Sequence, residues 1–345
     1  MKTSYTNPDE VTLLLKDMTG KVSPVSQEER KKMVDDGAFV RSIIIKEYEI
    51  TKEYTDIVNS YMDDYIPNMA KYVGILAEQL YAAKGNNLVL VDIVRAGIPI
   101  GILVRRYIQK FYNVDIPHYG ISLVKGLDKD AMKYIIDKHG PEGIQFIDGW
   151  TGKGTVAKEV RASAAEFDRV DDSLAVLSDC INQAKYTGTR EDVYIPHSPL
   201  NASVTGLVSI TVLNEEYKGP GDFHAAVYLE ELEKDDQSQS FVDRVSKCFK
   251  KQTAETISSD KTIDDKEIDK ISEMLNKDKK ELNPGINEAA RAVLRRDLEK
   301  LVVSDKNDVD LIPLIKLAEY KSIPVVEMPI RGYKAVSVAK DNYIR

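Results

Sequence analysis

Cysteine is nearly absent from this chain, with two thiols, Cys180 and Cys248, among 345 residues. Two cysteines cannot build a disulfide framework or a cysteine-based zinc site. Long apolar runs are missing as well. The greasiest window, residues 88–104, carries Asp92 and Arg95 in its middle, and nothing approaches the ~20 residues that span a bilayer. Met1 to Thr6 hold no apolar h-region, which argues against a secretory leader. Positive charge is not in excess either, since the formal net charge is −8. That excludes a protein that coats nucleic acid over its whole surface, but not one with a local basic face. The expectation is a reduced, cytoplasmic protein without membrane association.

What is present is ordinary for a globular chain: 43% hydrophobic residues, 30% charged, 19 Gly and 13 Pro. Collagen-like and wholly disordered classes are excluded. At roughly 150 residues per domain, the length predicts about two domains. The clearest boundary lies between Lys250 and Glu281, a stretch with eight lysines and nine acids. There Ile268, Ile271 and Leu275 stand at helical spacing. The division expected is 1–245 for a large domain, 246–281 for a charged linker with one helix, and 282–345 for a small domain. A solvated helix packed on the main domain is the alternative for the middle part. Residues 282–345 carry eleven Lys/Arg against nine Asp/Glu.

In the large domain, apolar runs of strand length alternate with helical segments. Strands are expected at 87–92, 116–124, 145–148 and 173–178, with helices at 98–112, 129–139 and 155–167. Such alternation predicts an α/β fold, a parallel sheet with helices on both faces. Ligands of such sheets bind beyond the carboxyl ends of the strands. Two loops lie there. Val91 to Gly101 runs from a buried strand through Arg95-Ala96-Gly97 into a helix, a ready anion site. Phe146 to Thr155 holds three glycines, two threonines and Lys153, so that amides could converge on a phosphate. Asp148 at the strand tip could bind sugar hydroxyls or help hold Mg²⁺. The spacing is neither a Walker loop nor Gly-x-Gly-x-x-Gly.

These loops resemble those of type I phosphoribosyltransferases, notably the uracil enzymes. The chain is more similar still to the phosphoribosyltransferase-like proteins of bacterial tellurite-resistance and stress gene clusters, a family also labelled "cysteine protease StiP". Stretches that carry this likeness are Phe146 to Thr155, His118 to Ser122, Gly188 to Asp192, Leu200 to Thr211 and Asp222 to His224. The resemblance implies a phosphoribosyltransferase-like sheet and an enzyme using Mg²⁺ with phosphoribosyl pyrophosphate (PRPP), acting on a base-like or RNA-linked acceptor. Asp148, Arg95 and Lys125 would be catalytic, Asp148 also taking the metal. Ala96, Gly97, Gly149, Thr151, Gly152, Lys153, Gly154 and Thr155 would bind PRPP. Residues 122–142 would form a flexible closing loop. Arg190, Asp192, Asn201, Ser203 and Thr205 would either read the acceptor or hold the hood together. Two departures stand out: Gly149 replaces a second acid, and residues 37–47 differ from the family's sequence there. A non-catalytic PRPP or nucleotide sensor with RNA binding as output is the runner-up.

A cysteine hydrolase is the minor alternative. It would need a histidine within reach of a thiol, and Cys180 sits just past a strand end. His224, beside Asp222, could be an oriented site residue or a structural one.

In the small domain, a helix opening at Pro284-Gly285 is expected, then a strand at 298–304, a helix at 311–320 and a strand at 324–328, a small α/β/α sandwich. Gly285, Asn287, Glu288 and Arg291 resemble the signature of the pelota and ribosomal-protein family that binds kink-turn RNA. That likeness implies kinked or bulged RNA as partner, with a protein-docking module as the alternative. Self-association of the chain stays open.

Overall fold

Twelve strands and nine α-helices follow one another along residues 1–254 and 266–340, which the computed structural model describes apart from the side chain of Asn201. In chain order they are β1 (Thr12–Leu13), β2 (Lys16–Asp17), α1 (Gln27–Asp35), α2 (Lys52–Lys84), β3 (Val89–Ile93), α3 (Ile98–Tyr112), β4 (His118–Ile121), α4 (Lys129–His139), β5 (Ile144–Ile147), α5 (Thr155–Ala164), β6 (Leu174–Ser178), β7 (Tyr186–Thr189), β8 (Ala225–Ala226), α6 (Ser238–Lys247) and α7 (Glu267–Leu275). The C-terminal part adds β9 (Leu282–Pro284), α8 (Ile286–Arg295), β10 (Leu298–Val303), α9 (Ile312–Tyr320), β11 (Val325–Glu327) and β12 (Ala335–Ala339).

Six strands form one sheet in the order β1-β4-β3-β5-β6-β7. Every neighbouring pair in it is parallel. All five residues of β3 are buried, as strands covered on both faces must be. One of them is Asp92, whose carboxylate meets His118 Nε2 at 2.6 Å, while His118 Nδ1 meets the Glu10 carbonyl at 2.6 Å. Gly101 of α3 lies directly against this pair, where a Cβ would collide with both side chains. One sheet face carries α4 and α5 over Val91, Ile121 and Phe146. The other is covered by α2, α3 and α6.

The helix α2 is the longest element and has no counterpart in the expectations. Its N-terminus is capped by the Thr51 hydroxyl, which accepts from Tyr54 N at 3.2 Å. Tyr54, Val58, Met62, Ile66, Met69 and Val73 recur at three- and four-residue spacing on its buried face. That stripe outweighs the missing amide of Pro67. Residues 122–142, expected as a flexible loop, instead form a tight turn closed by a Leu123–Leu127 bridge and then α4. The Asp128 carboxylate caps α4 by accepting from the amides of Asp130 and Ala131.

The C-terminal sheet has the order β11-β10-β12-β9, twice the two strands expected. Helix α7 buries Ile268 and Ile271 against Leu282, Val302 and Val336 of this sheet and against Cys180 and Ile181. The charged linker expected around it falls in part on 255–265, outside the described residues. The two larger sheets are not joined loosely. A single apolar cluster runs from Tyr54, Leu76 and Tyr107 through Leu200 to Ile286, Val293, Leu301 and Leu314.

Candidate functional site

A cleft of about 440 Å³ opens at the carboxyl ends of β3 and β5, and α8 of the C-terminal domain forms its opposite wall. Seven cationic side chains line it against four carboxyl groups. This is the local basic face that the net charge left room for, and burial strengthens its field.

The floor comes from the two loops singled out in the sequence. Asp148 ends β5 with its carboxyl buried, its hydrogen bond coming from Gly149 N at 2.8 Å. Burial pushes that carboxyl up to about 7. Arg95 is not poised for a ligand phosphate, because it grips Glu47 in a fork: Nη1 donates to Oε1 at 2.7 Å and Nη2 to Oε2 at 2.9 Å, with Val208 O a further acceptor at 2.8 Å. Although burial works the other way, Arg95, with Arg295 and Arg291 nearby, holds Glu47 below its ordinary range. Ala96 and Gly97 follow, and the Gly97 amide is spent on Ile93 O.

The expected phosphate nest is partly consumed. Thr151 N donates to Ser178 O at 3.0 Å and its hydroxyl donates to Asp179 at 2.6 Å. Lys153 turns to Lys279 O. Gly152, Gly154 and Thr155 line the cleft, and Gly152 O accepts from Tyr333 Oη at 3.1 Å. Lys125 is exposed and its ammonium lies 4.0 Å from the Phe39 ring centre. The donor set does not suit Mg²⁺. Gly149 supplies no second acid, Asp148 favours its neutral form, and no group of three or more potential ligands clusters among the described residues.

Of the described side chains proposed to read an acceptor, Arg190, Asp192, Ser203 and Thr205, none lines the cleft. Arg190 pairs with Asp179 and donates to Ala184 O at 2.9 Å. Ser203 and Thr205 donate to carbonyls of their own turn, Leu200 O and Ala202 O. The side chain of Asn201 lies outside the described residues. Asp192 does something else: it reaches across to the C-terminal domain and accepts from Ile286 N at 3.0 Å and Lys334 N at 2.8 Å. Burial pushes its carboxyl up to about 6.

The RNA signature is drawn into the same junction. Gly285, with φ of +88° that favours glycine, turns β9 into α8 beside Asp192. The Asn287 side chain is buried, accepting from Ile195 N at 2.8 Å and donating to Val193 O at 2.9 Å. Glu288 accepts from Trp150 Nε1 at 3.1 Å and from Arg291 Nη1 at 2.9 Å. Gly285 and Asn287 are therefore spent on docking, while Glu288 and Arg291 face the cleft.

Several residues there were not foreseen. Arg295 follows Arg291 by one helical turn on the same face of α8. Its Nε is buried without a hydrogen-bond partner. Burial, and then the charges of Arg291 and Arg95, push its guanidinium down to about 9. Arg30 of α1 also lines the cleft with Nε buried and unpartnered. Arg41 donates to Leu123 O at 2.6 Å. A second cavity of about 450 Å³ shares Tyr48, Arg295 and Arg296 with the first and adds Lys321 and Lys340. The signal in the sequence was the i, i+4 pair Arg291 and Arg295 followed by Arg296. It reads equally well as a helix end favoured by the dipole.

Cys180 does not have the surroundings of an activated thiol. Cys180 is buried, and its thiol is pushed well up by burial and by Asp192 and Asp179. Among the described residues no hydrogen bond joins either cysteine to a histidine. His197 is buried between Trp150 and Phe241, with both ring nitrogens unpartnered and its basicity pushed down to about 3 by burial. His224 Nδ1 contacts Ser122 Oγ at 2.9 Å, while Asp222 turns to Lys16 rather than to His224.

Residues 3–246 match the family described as "Tellurite-like stress resistance cysteine protease StiP", and residues 263–341 match the "PELOTA RNA binding domain". A protein of Acinetobacter baylyi (strain ATCC 33305 / BD413 / ADP1) described as "Cysteine protease StiP" is 28% identical over 355 residues, covering 96% of this chain and 92% of that protein. No solved structure matches. These findings correct the expected activity. Both the family and the relative are described as cysteine proteases, so an enzyme of phosphoribosyl transfer with PRPP is overturned, and the PRPP-sensing runner-up falls with it. The α/β architecture stands without its assignment to the phosphoribosyltransferase fold. Among the described residues no helix is long and apolar enough to cross a membrane. The chain belongs to the StiP family of tellurite-like stress resistance and carries a PELOTA RNA-binding domain.

Proposed function

We propose that this chain binds RNA along the basic cleft between its two larger sheets, as its part in stress resistance. The observation that carries the reading is Arg295, a guanidinium drawn into the protein beside two others with its Nε unpartnered. A protein that leaves such donors unpaired gains when an anion supplies the missing acceptors. The two cavities share Tyr48, Arg295 and Arg296, and Lys321 and Lys340 line the second, so cations border both of them for a backbone of spaced phosphates. The PELOTA match supports RNA as the polyanion. Contact would run through Arg291, Arg295 and Arg296 rather than through Gly285 and Asn287, which are spent on docking.

The test is fluorescence anisotropy with a labelled RNA containing a single-stranded bulge. Four neutralised phosphates give a slope of about −3 in log K against log salt. Arg295→Gln weakens binding by about tenfold and lowers that slope by about one. RNA binding that is equal in wild type and Arg295→Gln removes the cleft from the account.

Thiol hydrolysis is a second reading, favoured by the descriptions of the family and the relative. Cys180 is the residue it would use, two positions past β6 and beneath Tyr333 and Ile268. In the closed arrangement its thiol is protonated and covered, so hydrolysis would require the C-terminal sheet to lift from it. Casein hydrolysis by wild type that disappears in Cys180→Ser would favour this reading. Equal turnover by both, or none by either, would exclude it.

A further inference from the structure

The charges in the cleft do not balance. Arg95 is matched by Glu47 and Arg291 by Glu288, each through hydrogen bonds of 2.7 to 2.9 Å. Arg295 and Arg30 form no ion pair with a carboxylate among the described residues, although each buries an Nε that has no acceptor. Two guanidinium groups that line the cleft from different elements, one on α8 and one on α1, are thus in surplus. Asp148 on the floor adds little opposing charge, since burial favours its neutral form up to about 7. A phosphodiester carries one negative charge, whereas a phosphomonoester carries between one and two near neutral pH, with three terminal oxygens to accept from forked donors.

We propose that the inner cavity is a site for a terminal phosphomonoester, held between Arg295 and Arg30, with the RNA strand that bears it leaving past Arg296 toward Lys321 and Lys340. This rests on the RNA reading above and adds end recognition to it. Arg295 lines both cavities, so a strand lying along the second one would bring its end to the surplus charge. Trp150, the only tryptophan of the chain, donates to Glu288 and lies 5.7 Å from Arg291. Its emission therefore reports on the site without a label.

The experiment titrates full-length protein with one short RNA in three forms, 5′-phosphorylated, 3′-phosphorylated and unphosphorylated, and separately with inorganic phosphate. Trp150 emission is the readout. The proposal expects at least one phosphorylated form to bind about tenfold tighter than the unphosphorylated one, or ~1.4 kcal/mol. Inorganic phosphate should compete, and Arg295→Gln should make all three forms bind alike. Arg30→Gln, on α1, gives the same result should Arg295→Gln not fold. Equal affinity of the three RNAs for wild type overturns end recognition and leaves the RNA reading standing. Saturable binding of inorganic phosphate with no RNA binding at all overturns the RNA reading while keeping a phosphate site. No response to RNA or phosphate overturns both.

Discussion

Replacing Asp148 by Asn should make the protein more stable, and by an amount that grows with pH. The carboxyl sits on the cleft floor with a hydrogen bond from Gly149 N, and burial lifts it to about 7, against about 3.9 in an unfolded chain. A folded value above the unfolded one means that stability is fully present below the unfolded value and is lost as pH rises through the folded one. With 1.36 kcal/mol per unit, the raised Asp148 value costs the fold about 1.5 kcal/mol at pH 5 and about 4 kcal/mol at pH 8.5. An Asn side chain keeps an acceptor for Gly149 N and never ionises. Urea unfolding of both proteins at the two pH values isolates the effect, since all other titrating groups are shared. The stabilisation by Asp148→Asn should be larger at pH 8.5 by about 3 kcal/mol. A difference that is the same at both pH values would refute the buried, neutral Asp148 and with it the charge balance assigned to the cleft.

Asp192→Ala leaves Ile286 N and Lys334 N without an acceptor at the junction of the sheets. At about 1–3 kcal/mol for each buried donor, urea unfolding should report a loss of about 2–6 kcal/mol. A loss below about 0.5 kcal/mol would mean that Asp192 does not hold the domains together. Cys180 should resist a thiol reagent in native protein at pH 8, while the half-buried Cys248 reacts faster. Equal labelling rates would contradict the packing of α7 and Tyr333 over Cys180.

Much of the large sheet was legible because its strands are short, continuous and apolar. The helices at 98–112 and 129–139 coincide with α3 and α4, and the strands expected at 145–148 and 173–178 lie within a residue of β5 and β6. The helix foreseen from Ile268, Ile271 and Leu275 is α7. Elements that owe their existence to tertiary pairing were not legible. Two-residue β1 is held by Tyr119 and Gly120 of β4, and β9 forms only because β12 returns beside it. The strand-end loops do line the cleft, but they were read for an activity that the family assignment overturns. Their side chains are largely committed to the protein itself: Arg95 to Glu47, Thr151 to Asp179, Lys153 to Lys279 O. Glu47 lies far from Arg95 in sequence, and no local pattern announces the pair. The same holds for the PELOTA signature, since nothing near Asn287 reveals that Val193 and Ile195 will claim its side chain.

The most direct test of RNA in the cleft is photocrosslinking of a 4-thiouridine RNA to the full-length protein, read by mass spectrometry of the peptides. Crosslinks should fall on the walls of the two cavities, in residues 45–50, 148–155 and 291–297, and should be lost in Arg295→Gln. Crosslinks confined to the outer side of the C-terminal sheet, around β11 and the exposed Val326, would place the RNA elsewhere and contradict the account.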